Sequence, residues 1–174
     1  MKASDVIRDK LDSLGGKSRI FLLNNDLCNV EKKNNYCFIC DKLPNQEVDF
    51  EIFDIVVKFL LKHYGHADKG SARNSKVGLG QCSRDTVMYA IATEYYGKKD
   101  GESSFDPLFV IAAILDWANV AKNERGYIQL INPSLWEEDW LVSNCFYKFG
   151  DSQLSVSFYL FFYTTKYLLD KIFP

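Results

Sequence analysis

The segment from Asp106 to Ala121 places the strongest constraint on how this chain can fold. Asp106-Pro107 is a strong helix start, because an aspartate accepts the free amides of a first turn and a proline already holds helical φ at the first position. Ile111, Ile114, Leu115 and Ala118 then share one face, while Phe109, Ala112 and Ala113 occupy the others. A helix that is apolar on every side has to be surrounded, so 107–121 is expected at the centre of a core. The chain is long enough to surround it: at 174 residues and 47% hydrophobic composition it can remove about two-thirds of its unfolded surface from water without disulfides. No repeat, low-complexity tract or linker divides it, so 1–174 reads as one domain.

Around this helix the expected elements are mostly helical. Ser4 reads as an N-cap and Gly15-Gly16 as the stop of a short first helix, a docking arm. Arg19 to Leu23 and Tyr36 to Cys40 read as two short strands separated by the polar run 24–35, which makes 19–43 a small β hairpin or knuckle. Phe50, Phe53, Val57, Leu60, Leu61 and Tyr64 recur at three and four residues, predicting an amphipathic helix over 49–64 with Asp49 as cap and Gly65 as stop. The glycine-rich stretch 65–80 reads as a long mobile loop, made basic by Lys62, Lys69, Arg73 and Lys76 and flanked by His63 and His66. Val87, Met88, Ile91 and Tyr95 predict a further helix closing at Gly97, and 127–131 a short strand. Asn132-Pro133 restarts a helix bearing Trp136 and Trp140, and a last aromatic helix spans about 154–172. The expected fold is mainly α, a helical bundle with a small N-terminal β hairpin or knuckle.

Charge and hydropathy narrow the function classes. Lys plus Arg is 21 and Asp plus Glu 23, a formal charge of -2, which argues against general nucleic acid binding. The charge is uneven: residues 1–100 carry 16 basic and 14 acidic side chains, residues 101–174 carry 5 and 9, so the second half can attract a basic partner. No apolar run is long enough for a membrane span and the first residues lack the pattern of a secretory signal, so a cytoplasmic, non-membrane protein is expected. Five cysteines without a signal suit reduced thiols or metal ligands better than a disulfide framework.

Several residues invite chemistry. Cys37-x-x-Cys40 has the spacing of a metal knuckle, in which two thiolates on a tight turn share one face of a tetrahedral zinc. Cys28 is a candidate third ligand and His63 or His66 a fourth; the alternative is that the thiols are small buried hydrophobes. Gly80-Gln81-Cys82-Ser83 puts a thiol where a helix should begin, a position that lowers thiol pKa, so Cys82 is the candidate nucleophile; as a packing residue it would need no base. Gly78 and Gly80 ahead of that helix suggest an anion site with Lys76 and Arg84, although no Gly-Lys-Ser/Thr follows. Trp136-Glu137-Glu138-Asp139-Trp140 combines two indoles with three carboxylates, a pattern suited to a protein partner, unless the indoles face the core. Phe158, Tyr159, Phe161, Phe162, Tyr163 and Tyr167 exceed what one helix face needs for a core, and the surplus suits a homo-oligomer.

The order of a Cys-aromatic-aliphatic-Cys knuckle, an amphipathic helix, a glycine-rich loop, a Trp-bearing acidic segment and an aromatic terminal helix with a late Lys-Tyr resembles the HEPN-like helical domain at the N-terminus of some bacterial RES-type toxins. The similarity spans about residues 28–173. It implies a helical bundle with a bound zinc, working in toxin–antitoxin or antiphage conflict. This chain departs from that pattern at the first cysteine pair, present only as Cys28, and no Arg is followed by the helical His of the HEPN ribonucleases.

Together these features lead to an expectation of a protein-binding module, an immunity protein or antitoxin that neutralises a toxin by direct contact. The competing reading is an enzyme, either a Cys82 thiol hydrolase or a zinc-containing, nuclease-like toxin using the Cys/His cluster and the basic stretch 62–76.

Overall fold

A computed structural model describes residues 1–44 and 47–136. Its elements in chain order are α1 (Ala3–Ser13), β1 (Lys17–Phe21), β2 (Leu27–Lys32), β3 (Cys37–Cys40), β4 (Val48–Asp49), α2 (Glu51–Lys62), β5 (His66–Asp68), α3 (Val87–Ala90), α4 (Leu108–Trp117), β6 (Ala121–Asn123) and β7 (Tyr127–Leu130). The strands form two antiparallel sheets, one of order β1-β2-β3-β4 and one of order β5-β7-β6. The fold is therefore α+β, and the expectation of a mainly helical bundle with a β appendage is corrected. The stretch 19–43 is the body of the larger sheet, and its inner face is part of the core.

The error lies in β2. Leu27 to Lys32 alternates outward polar residues, Asn29 and Glu31, with inward Cys28 and Val30, so an apolar count over 24–35 sees only a polar run. Val30 stands opposite both Ser18 and Cys40, which makes β2 an interior strand flanked on both sides. The inner face of this sheet presents Ile20, Cys28, Val30, Phe38, Cys40 and Val48, all buried.

The helices pack on that face. In α1, Ala3, Ile7 and Leu11 recur at the helical period and are buried against β1, β2 and α2, so the first helix is a core element and not a docking arm. The amide of Ser4, expected as the cap, donates to Asp54 Oδ1 of α2 at 2.9 Å. Gly15 and Gly16 end the helix as expected, with the Gly16 amide on the Leu11 carbonyl. The apolar stripe of α2 meets Phe38 through Phe50 and Phe53, whose ring centroids lie 5.3 and 5.4 Å from that of Phe38.

The helix α4 occupies the central position its composition demands. Leu108, Val110, Ile111, Ala112, Ala113, Ile114 and Leu115 are buried, and it packs on β1 and β6. Beyond α3 the backbone continues directly into a π-helical turn over Ile91–Tyr95. That turn presents the Tyr95 hydroxyl to the Asp49 amide of β4, which donates to it at 2.9 Å.

The glycine-rich stretch 65–80 is organised more tightly than a mobile loop. It begins as β5, and Val77 is fully buried. Gly70 has φ +67°, and a Cβ there would lie 2.6 Å from the Gln81 carbonyl oxygen and from the Thr86 side chain, so only glycine lets these backbones meet. The aspartate that begins α4 holds the same stretch: Ser71 Oγ and the Ala72 amide donate to Asp106 Oδ2 at 2.9 and 3.1 Å, while the Leu108 amide donates to Oδ1 at 3.2 Å.

Candidate functional site

The expected metal knuckle does not form. Cys37 and Cys40 lie in β3, where side chains alternate in direction, so a spacing of three sends the thiols to opposite faces of the sheet. On a tight turn the same spacing would have brought them together, which is the assumption the fold overturns. Cys40 shares the inner face with Cys28, and both are buried. The Cys28 thiol is pushed up by its hydrogen bond to Cys40 and by burial. Cys37 lies on the other face against Glu47, with Sγ to Oε2 at 3.3 Å, and burial raises its pKa as well. His63 ends α2 with its ring 4.3 Å from that of Phe59, and His66 is an exposed residue of β5. Among the described residues no group of three His, Cys, Asp or Glu is placed to hold a metal ion. Buried hydrophobic thiols describe Cys28 and Cys40 better than ligands do.

Cys82 closes a single 3-10 turn, Gly80–Cys82, and is fully buried. Burial pushes its thiol up, the reverse of what activation at a helix start requires. The neighbouring anion site is closed by side chains already paired. Gly78 lies against the Asp100 carboxylate, where a Cβ would sit 2.7 Å from Cγ, and Arg84 is bound to that same carboxylate at 2.5 Å. The guanidinium holds Asp100 below the ordinary carboxylate range and is itself raised in return.

Asn132 adopts φ +51°, and Asn132-Pro133 opens only a 3-10 turn, Pro133–Leu135. Trp136 follows it 5% exposed, with Nε1 donating to the Ile131 carbonyl at 3.3 Å. Trp136 thus sits as a core indole. Glu137, Glu138, Asp139 and Trp140 lie outside the described residues, as does the expected final helix at 154–172.

The described surface instead gathers its cations around a double hollow. The first hollow, about 460 Å³, and the second, about 580 Å³, share Lys42, Arg73, Asp106 and Phe109 as walls. Lys76 and the hydroxyls of Ser75 and Ser103 line the first, and Lys76 Nζ donates to Ser103 Oγ at 2.7 Å. Leu22, Lys69, Leu108 and Asn123 line the second. The Arg73 guanidinium lies over the Phe109 ring at 5.3 Å from its centroid, a cation–π pair on an exposed rim. Lys69 donates to the Glu124 carbonyl, and burial lowers its pKa.

Four cations and two carboxylates therefore line the hollow of a chain whose formal charge is -2. One of those carboxylates, Asp106, already accepts from three protein donors. Asn123 is 8% exposed, and its Oδ1 has no hydrogen-bond partner among the described residues. Lys69, Arg73 and Lys76 were visible in sequence as a basic stretch. Lys42, Phe109 and Asn123 were not, because each arrives from a different element and no local pattern links them.

A second surface feature borders this hollow. Phe21, Leu23 and Leu27, at the β1–β2 connection, are 68, 54 and 42% exposed. Phe21 and Leu27 stand directly opposite one another in the strand register, so their side chains form one apolar pair.

No protein-family model matches this sequence, and comparisons with curated proteins and with solved structures find no match.

Proposed function

We propose that this chain is a protein-binding module that acts by contact, in the manner of an immunity protein or antitoxin of a bacterial conflict system. The observation that carries the reading is the exposed apolar trio Phe21, Leu23 and Leu27 on the edge strand and first turn of the larger sheet. Apolar residues grouped on a surface mark contact sites, and β1, at the end of the strand order, adds an edge against which another chain can pack. The acids Glu137, Glu138 and Asp139 supply the charge that would steer a basic partner. The competing thiol-hydrolase reading is weakened by the buried Cys82, whose pKa is raised. The zinc reading is weakened by the opposed directions of Cys37 and Cys40.

The test is native mass spectrometry of the chain co-expressed with the products of neighbouring reading frames. A stoichiometric complex that dissociates on joint Phe21→Ser and Leu27→Ser substitution, with the melting temperature of the free chain unchanged, is the expected result. A complex indifferent to that double substitution would remove the sheet tip from the argument. Reversing the charges of Glu137, Glu138 and Asp139 should slow association and flatten its salt dependence; unchanged kinetics would reject a basic partner.

A further inference from the structure

The double hollow has features that the protein-binding reading does not use. Its volumes fall within the range of small-molecule sites, about 300–1,000 Å³. Its two halves differ in chemistry. The first offers Arg73, Lys76 and serine hydroxyls, donors suited to the oxygens of an anion. The second is walled by Leu22, Leu108 and Phe109, and at its side stands the Asn123 amide with an orphaned acceptor. Rotation about the terminal side-chain torsion, which is broad for asparagine, can turn that oxygen toward the hollow. A buried carbonyl without a donor costs about 1–3 kcal/mol, so a ligand that brings an N–H or O–H to it gains affinity at that position.

We infer that the double hollow is a binding site for a phosphate monoester whose organic part carries a hydrogen-bond donor. The phosphate lies in the first hollow between Arg73 and Lys76, and the organic part lies against Leu108 and Phe109 with its donor on Asn123 Oδ1. Lys42 stands in the wall common to both halves and adds charge at the junction. The ester linkage joins an anion to a largely apolar body carrying a polar donor, and no inorganic anion satisfies both halves. A nucleoside and a sugar supply the same donor chemistry, so the probes have to separate them.

The experiment is calorimetric titration of the full chain with AMP, ribose 5-phosphate and inorganic phosphate. At least one ester is expected to bind about tenfold or more tightly than inorganic phosphate, since one satisfied buried acceptor is worth about that factor. AMP alone would define the organic part as a nucleoside, and ribose 5-phosphate alone as a sugar. Arg73→Gln and Lys76→Gln alter exposed side chains, and together they should weaken the ester by about tenfold or more through loss of charge-assisted bonds. Asn123→Ala should weaken the ester while leaving inorganic phosphate unchanged, and its melting temperature reports whether the buried site still folds. Equal affinity for phosphate and both esters, no binding by ~1 mM ligand, or an affinity untouched by the Arg73/Lys76 pair of substitutions would each overturn the assignment. The inference is separable from the protein-binding reading, because Phe21→Ser with Leu27→Ser leaves every wall of the hollow in place.

Discussion

Removing the Asp106 side chain should destabilise the protein far more than a half-exposed aspartate ordinarily would. Its Oδ1 caps α4 through the Leu108 amide, and its Oδ2 holds the 71–72 backbone through the Ser71 hydroxyl and the Ala72 amide. Loss of a helix cap costs about 1 kcal/mol. Hydrogen bonds to a charged acceptor contribute about 1.5–3 kcal/mol each, with partial recovery where water reaches the freed donors. Because the three bonds share one carboxylate they do not add, and about 2–4 kcal/mol is a consistent figure for Asp106→Ala. For a chain of this length each kcal/mol moves the melting temperature by about 2–4 °C, so a fall on the order of 5–15 °C is expected in calorimetry. Asp106→Asn separates the two roles. It keeps the Oδ1 cap but turns an NH2 toward the Ala72 amide, which can only donate, so the variant should fall between wild type and Asp106→Ala. A loss for Asp106→Ala below about 0.5 kcal/mol, within the range of ordinary surface substitutions, would refute the claim that this carboxylate organises the basic stretch.

Other consequences are simpler to test. Gly70→Ala should cost about 2 kcal/mol or more, because φ there is +67° and a Cβ would meet the Gln81 carbonyl at 2.6 Å; chemical denaturation would show the loss, and a wild-type midpoint would contradict the close approach. Cys82 in the native protein should react with iodoacetamide more slowly than a free thiol at pH 8 and accelerate only on unfolding; fast native labelling would restore it as a nucleophile. Arg84 holds Asp100 below its unfolded value, so the pair stabilises the fold above the ordinary carboxylate range near ~4 and loses that contribution as pH falls through the depressed folded value. Asp100→Asn should therefore shallow the acid limb of a pH–stability curve, and an unaltered limb would show that solvent screening cancels the pair.

Those parts of the fold whose periodicity was set by burial on one face, or on every face, could be read in the sequence. The stripe of α2 and the all-apolar α4 both lie where their patterns require. β2 was hidden because half of its residues face solvent and a six-residue strand leaves only two inward apolar positions, Cys28 and Val30, to signal it. The same omission misplaced the cysteines: with β3 taken for a turn, a spacing of three looks like chelation, whereas on a strand it sends the thiols to opposite sides. The 65–80 stretch looked loose because glycine and serine carry no burial signal. Its order comes from Asp106, more than thirty residues away, whose second oxygen reaches back across the gap. The hollow was half visible for a related reason, since charge clustering is local in sequence while Lys42, Phe109 and Asn123 converge only through the tertiary fold.

The π turn at Ile91–Tyr95 has an implication for how this chain tolerates changes in length. Such a turn holds one residue more than the helical turn it replaces, so it records a local insertion that the surrounding fold has absorbed. Deleting one residue there would restore a regular helix and swing everything beyond it by about 100° around the axis. The Tyr95 hydroxyl would then leave the Asp49 amide, and an edge strand of only two residues, Val48–Asp49, would lose the side chain that ties it to α3. A one-residue deletion elsewhere on an exposed connection shifts only local backbone; at this turn it would separate two parts of the chain 46 residues apart in sequence.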